Sequence, residues 1–206
     1  TKYKRDFERE ARNLAKFNSS HIVRVIEVVP QNNTYYIVTE FIDGVSLEDY
    51  ISSRPNHMLS YSDALRITAE VARGLQEMHQ KGMLHLDLKP RNVMLDNAGH
   101  IHIIDFGLSR QIDANGLLES STTIGQGTPG YAPIEQLDVE NKHPQPTIDI
   151  YALGATLFKM ITGETPPNGA KVAAHGAFPG ILSSKIIKDS TDGSITRKIT
   201  TDVADL

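Results

Sequence analysis

Asp87, Lys89 and Asn92 crowd one short stretch, Leu86-Asp87-Leu88-Lys89-Pro90-Arg91-Asn92, and Asp105 follows across what reads as a single hairpin. Moving a phosphoryl group asks a protein for a carboxylate beside the attacking hydroxyl, cations on the phosphate oxygens and in-line placement. These residue types match that request. Asp87 is the candidate base and orienting group, and Lys89 is a point charge able to reach a transferred phosphate. The amide oxygen of Asn92 and the carboxylate of Asp105 are the hard ligands that Mg²⁺ prefers. Gly107, just past Asp105, lets the chain turn sharply there.

The elements that must hold these groups are written in periodicity. Phe7, Ala11, Leu14 and Phe17 recur at helical spacing among charged residues, so the chain opens on an amphipathic helix ending near Asn18-Ser19-Ser20. Two β-rich runs follow, Ile22 to Val29 and Thr34 to Phe41, and Pro30-Gln31-Asn32-Asn33 predicts a hairpin turn between them. Ser46 is placed to cap a short helix through Ile51. Ser60 or Ser62 is placed to cap a long one with Ala64, Ile67, Val71, Leu75 and Met78 on one stripe, stopped by Gly82. The runs Val93 to Leu95 and Ile101 to Ile104 read as strands joined at Asp96-Asn97-Ala98-Gly99. Ser109 to Gly127 has no periodicity and reads as a mobile loop. Thr147 to Thr162 is apolar on nearly every face and predicts a buried helix ended by Gly163 and Pro166-Pro167. After Asn168 the pattern fades, and no internal repeat or low-complexity tract is present.

Composition narrows the partners. With 206 residues and 39% hydrophobic content the chain is able to bury a real core. A net charge of -4 and a pI near 6.0 supply no basic field for nucleic acid or an anionic membrane surface. There is no cysteine, which suits a reducing cytoplasm, and no apolar run reaches the length of a membrane span. The chain starts at Thr1 inside a charged helical pattern and closes on Val203-Ala204-Asp205-Leu206 without a stop signal, so it reads as a fragment.

His85-Leu86-Asp87-Leu88-Lys89-Pro90-Arg91-Asn92 followed by Asp105-Phe106-Gly107 resembles the catalytic loop H-x-D-x-K-x-x-N and the D-F-G metal motif of protein kinases. Either motif alone is weak; their order and separation make them specific. Gly127-Thr128-Pro129-Gly130-Tyr131-Ala132-Pro133-Ile134-Glu135 is similar to the end of a kinase activation loop, with the family's A-P-E appearing as Pro133-Ile134-Glu135. The resemblance implies an α+β, protein-kinase-like fold. It would be mostly the helical C-terminal lobe, residues 41–206 lacking the last helices, with a remnant of the N-terminal lobe, residues 1–40, made of one helix and a β-hairpin. It implies further that Thr128 bonds Asp87 and Lys89, that Asp149 braces the catalytic-loop backbone, and that Asn92 and Asp105 bind Mg²⁺. ATP would be held by Lys89, Asn92 and Asp105, with Glu10 pairing an ATP-positioning lysine, Thr39 at the back, the backbone of Glu40 and Ile42 on adenine, and Met94 beneath the ring.

The lysine two places after Asp87 is the serine/threonine pattern, and the wording resembles bacterial members of the eukaryotic-type kinases. The expected partners are therefore ATP and a protein with a serine or threonine hydroxyl, with neither nucleic acid nor membrane engaged by this segment, in the cytoplasm. Two departures shape the expectation. The family's glycine-rich loop and lysine-bearing strand are not found ahead of Glu10, so this stretch alone is expected to be inactive or feeble. Leu86 stands where many kinases carry a phosphate-reading arginine, so Ser120, Ser121, Thr122 or Thr123 would not serve as the usual switch. The alternatives are a pseudokinase scaffold, which need not keep Asp87, Lys89, Asn92 and Asp105, and a small-molecule phosphotransferase, which would lack the G-T-P-x-Y segment.

Overall fold

The computed structural model describes residues 15, 17–32, 34–106, 109–112, 127–138, 143–175, 186–188 and 195–198. The expected first helix, with Glu10, and the tetrad Ser120 to Thr123 lie outside the described residues, as does Gly107. Phe17, at the end of that helical stripe, is described and buried.

Strands β1 (Val25–Gln31) and β2 (Thr34–Thr39) pair antiparallel as a hairpin, with Gln31 opposite Thr34. The turn is thus tighter than Pro30 to Asn33: Pro30 and Gln31 belong to the strand, and Asn32 turns the chain at φ 51°. A two-stranded ribbon is all edge, so a proline without an N–H is tolerated in it, and asparagine accepts the left-handed region readily. Strand β3 (Gly44–Ser46) leads into helix α1 (Leu47–Ser52), whose N-cap is Ser46; its Oγ accepts the Asp49 N–H at 3.1 Å. Helix α2 (Tyr61–Gln80) is capped by Ser60, which accepts the Asp63 N–H at 3.1 Å, while Ser62 lies inside the helix. All five stripe residues of α2, Ala64, Ile67, Val71, Leu75 and Met78, are fully buried, and the chain leaves the helix through Lys81 and Gly82, the latter at φ 66°.

Strand β4 (Met83–Leu84) follows, then the loop carrying Asp87, Lys89 and Asn92, β5 (Val93–Asp96) and β6 (Ile101–Ile103). Together β3, β5 and β6 form an antiparallel sheet in the order β3-β5-β6. Gly44 is required there: a Cβ would stand 1.9 Å from the carbonyl oxygen of Leu95 on the neighbouring strand. Strand β7 (Arg110–Gln111) pairs with β4, Leu84 opposite Arg110, and the Ile112 N–H donates to Gly82 at 2.8 Å. The start of the stretch read as a mobile loop is therefore ordered sheet, with Ser109 and Arg110 buried. The backbone of buried Met83 and Leu84 needs partners, and β7 supplies them.

Helix α3 (Ile134–Leu137) is one turn long, and α4 (Thr147–Thr162) ends at Gly163 in the left-handed region. Helix α4 buries Ile148, Ala152, Leu153, Ala155, Phe158, Met160 and Ile161, although Ile150 faces solvent. Where the sequence pattern fades there is still structure: helix α5 (Gly169–His175), and a hairpin of β8 (Ile186–Lys188) with β9 (Ile195–Lys198). One core unites α1, α2, β5, β6 and α4, and segment 21–23 is stitched to it by Val23 N–H to Ile103 and Ile103 N–H to His21, at 2.9 and 2.8 Å. No helix among the described residues is long and apolar enough to cross a membrane.

Candidate active site

The loop between β4 and β5 is built around a strained residue. Leu86 sits at φ 65°, in a region that costs an L-residue with a branched side chain about 1–2 kcal/mol. It stays there because its neighbours hold it. Asp149, fully buried in the first turn of α4, accepts the Leu86 N–H on Oδ1 at 2.9 Å and the His85 N–H on Oδ2 at 2.9 Å. His79, near the end of α2, meets the same Oδ2 through Nε2 at 2.8 Å. Asp149 does not cap its helix; the side chain is spent on the loop.

With the backbone held, Asp87 points into a cluster of donors. Lys89 Nζ donates to Asp87 Oδ2 at 2.6 Å and to Thr128 Oγ1 at 2.8 Å, and Thr128 Oγ1 donates to Asp87 Oδ1 at 2.6 Å. Asn92 Nδ2 donates to the Asp87 carbonyl at 2.9 Å and to Oδ2 at 3.2 Å. The structure thus brings four of the residues singled out by sequence into one network. Thr128 comes from a distant part of the chain, after β7.

Asp105 reaches the same neighbourhood along β6. The Ile104 N–H donates to the Asn92 carbonyl at 2.9 Å, which sets Asp105 one residue beyond a direct tie to the loop. Asp105 is exposed and, like Leu86, lies in the left-handed region at φ 60°. His85 packs between the two segments. The Asp87 N–H donates to His85 Nδ1 at 3.3 Å, so Nδ1 is the bare nitrogen and Nε2 carries the proton facing the Ile104 carbonyl at 3.4 Å. Its ring also packs against Phe106, centroids 5.9 Å apart.

Burial holds His85 below its ordinary value of 6.5, more strongly than the nearby charges of Asp149, Asp87 and Asp105 raise it. An unfolded chain takes a proton on this imidazole as the pH drops through that value, whereas the folded chain does not, so folding weakens on acidification. The Tm of the protein is therefore expected to fall more steeply from about pH 7 to about pH 5 than that of a His85→Phe variant; parallel curves would contradict the assignment.

The fit to a divalent cation rests on the donors. Both side-chain hydrogen bonds of Asn92 leave from Nδ2 and neither uses Oδ1, while Asp105, which follows the Ile104 N–H bonded to the Asn92 carbonyl, brings a carboxylate. Among the described residues no group of three or more His, Asp or Glu is placed to hold a cation, so phosphate oxygens or water would complete the shell of one held by Asn92 and Asp105. Mg²⁺ accompanying a nucleotide fits that donor set.

Of the residues expected around adenine, Glu40 and Ile42 line one cavity, and Thr39 and Met94 do not line it. Thr39 ends β2 and is exposed; the Glu40 N–H donates to Arg24 at 2.9 Å while its carboxylate accepts the Arg24 N–H at 3.0 Å. Ile42 packs on the core, and Met94 lies on β5 opposite Ser46 and His102. That cavity, of about 330 Å³, is lined by Glu40, Phe41, Ile42 and Asp43 together with Asp96 and His102; Asp87 does not line it. Asp96 there is held well below the usual carboxylate range, chiefly by the His100 N–H, with the imidazoles of His102 and His100 and the Ala98 N–H also on it.

Two contributors escaped the sequence reading. His79 carries no local signature, and Gln136, one place after the retained glutamate, looks like any polar helix residue. Gln136 is buried, and its Nε2 donates to the Leu86 carbonyl at 2.5 Å.

A family described as "Protein kinase domain" matches residues 1–204. The chain is 33% identical over 168 residues to the probable serine/threonine-protein kinase PknB of Lactococcus lactis, covering 82% of this chain and 26% of that protein. It is 30% identical over 168 residues to the serine/threonine-protein kinase PrkC of Bacillus subtilis, 80% of this chain and 24% of that one. To the serine/threonine-protein kinase PknB of Mycobacterium tuberculosis it is 32% identical over 167 residues, 79% and 26% respectively. The chain thus spans about a quarter of the length of these relatives.

Proposed function

Because the chain belongs to the protein kinase family, we propose that it carries the catalytic centre of a serine/threonine protein kinase, which transfers the γ-phosphoryl group of Mg-ATP to a protein hydroxyl. The observation that carries this reading is the closed network of Asp87, Lys89, Thr128 and Asn92, which no scaffold requires. Asp87 orients the serine or threonine hydroxyl and takes its proton as the oxygen bonds to the γ-phosphorus and the bond to the β-phosphate oxygen breaks, releasing ADP. Lys89 lies beside that carboxylate, where its charge meets the transferred phosphate. Asn92 and Asp105 are the proposed metal ligands, and Mg²⁺ bound there would neutralise phosphate charge. Thr39, the backbone of Glu40 and Ile42, and Met94 are the proposed adenine contacts, with Glu10 as the partner of an ATP-positioning lysine.

These 206 residues hold no V-A-x-K strand ahead of Glu10, so by themselves they are expected to turn over feebly or not at all. The segment is assigned to the cytoplasm, where ATP is available, and Ser120 to Thr123 are assigned no switching role because Leu86 offers a phosphate no charge. The test is ATP binding by the full-length protein with and without Mg²⁺. Binding is expected to strengthen with Mg²⁺, and Asp105→Asn is expected to remove that strengthening. A scaffold would bind without metal dependence, and Asp105→Asn would leave it unchanged.

A further inference from the structure

Leu86 is held on both sides of its strained backbone. Its N–H goes to Asp149 of α4, and its carbonyl receives Gln136 Nε2 from α3 at 2.5 Å. Gln136 is 8% exposed, and Gly127 lies against the same side chain, because a Cβ there would stand 3.0 Å from Gln136 Nε2. Gly127 immediately precedes Thr128, whose hydroxyl binds Asp87. The amide of Gln136 therefore touches the catalytic loop at the peptide that joins Leu86 to Asp87, and abuts the segment that delivers Thr128.

We infer that Gln136 is a positioning residue: its hydrogen bond to the Leu86 carbonyl fixes the peptide that aims Asp87, and so locks the segment from Gly127 to Gln136 onto the catalytic loop. The inference rests on the kinase reading above. It differs from a packing role because it depends on a donor, not on volume. A glutamine amide cannot lose its proton donor at any ordinary pH, and the link requires no covalent modification, which agrees with an apolar residue at position 86. Asp149 sets the N–H side of the strained residue and Gln136 the carbonyl side, so the left-handed conformation is determined twice over.

The experiment uses the full-length protein, Mg-ATP and a degenerate mixture of serine- and threonine-containing peptides, with single-turnover transfer measured from about pH 6 to about pH 8.5. Gln136→Leu keeps the bulk and removes the donor; the transfer rate is expected to fall about 10- to 100-fold with the KM for ATP little changed. Gln136→Glu supplies a donor only when protonated. Burial raises such a carboxyl, and the carboxylates of Asp149 and Asp87 on the facing elements and Glu135 on its own helix raise it further; the Lys89 charge opposes the rise, and the neutral His85 adds no charge. The ratio of the Gln136→Glu rate to the unmodified rate is thus expected to rise as the pH falls. A flat ratio, or a Gln136→Leu rate within twofold of the unmodified protein, would overturn the inference. Should Gln136→Leu fail to fold, the Gln136→Glu ratio decides alone. If the unmodified protein transfers no phosphate at all, the kinase reading falls and takes this inference with it; if it transfers phosphate and the ratio is flat, only this inference falls.

Discussion

Replacing Asp87 by asparagine is expected to lower phosphoryl transfer by the full-length protein about 100- to 10,000-fold while leaving ATP affinity within about threefold. The substitution is nearly isosteric, and the surrounding groups survive it. Thr128 and Lys89 still have one another, at 2.8 Å, and Asn92 still has the backbone carbonyl of residue 87, at 2.9 Å. What disappears is the second acceptor oxygen and the ability to take a proton. The amide nitrogen must face either Thr128 or the two donors Lys89 and Asn92, and toward the latter pair it meets only other donors. Single-turnover rates alongside nucleotide titration separate this loss of chemistry from a loss of binding. A variant within fivefold of the parent would show that Asp87 is not the group that receives or orients the hydroxyl.

Asp149→Leu is expected to have the largest effect on stability, about 3–5 kcal/mol, because it strips the acceptor from two buried N–H groups and from His79 at once. An orphaned buried donor forfeits its hydration without recompense, whereas the same substitution at an exposed carboxylate would scarcely register. Leu86 would also lose the bond that offsets its left-handed strain, so the loop relaxes and Asp87 is mis-aimed. Asp149→Asn keeps one acceptor oxygen and is expected to lose roughly half as much. Denaturant titration measures both, with the Tm of the leucine variant expected to drop by roughly 10 °C. A leucine variant within 1 kcal/mol of the parent would mean that water or another side chain replaces the carboxylate, and the bracing role would have to be abandoned.

The two predictions probe different levels of one design. Asp149 organises backbone and Asp87 presents a functional group on it, so the first loss is expected in unfolding and turnover together, the second in turnover alone. Gln136 sits between them, acting on the same peptide from the opposite side.

Much of this was legible in the linear order of residues. The stripe of Ala64, Ile67, Val71, Leu75 and Met78, the limits Thr147 and Thr162 of α4, the Ser46 cap and the Asp96 to Gly99 turn all express interactions between residues at most a few places apart, which periodicity and capping chemistry record directly. The grouping of Asp87, Lys89 and Asn92 was equally plain, since one short loop must hold all three. The contacts that make the loop a site are of another kind. Thr128 finds Asp87 across 41 positions, Gln136 finds Leu86 across 50, and Asp149 finds Leu86 across 63. Nothing local distinguishes Gln136 from a solvated glutamine, Ser109 and Arg110 from loop residues, or Leu86 from a leucine in an ordinary conformation. Those identities arise only when α3, α4 and β7 pack around β4 and the loop that follows it. Burial then turns each unpaired N–H and C=O into a demand that a side chain or strand from elsewhere in the chain has to meet.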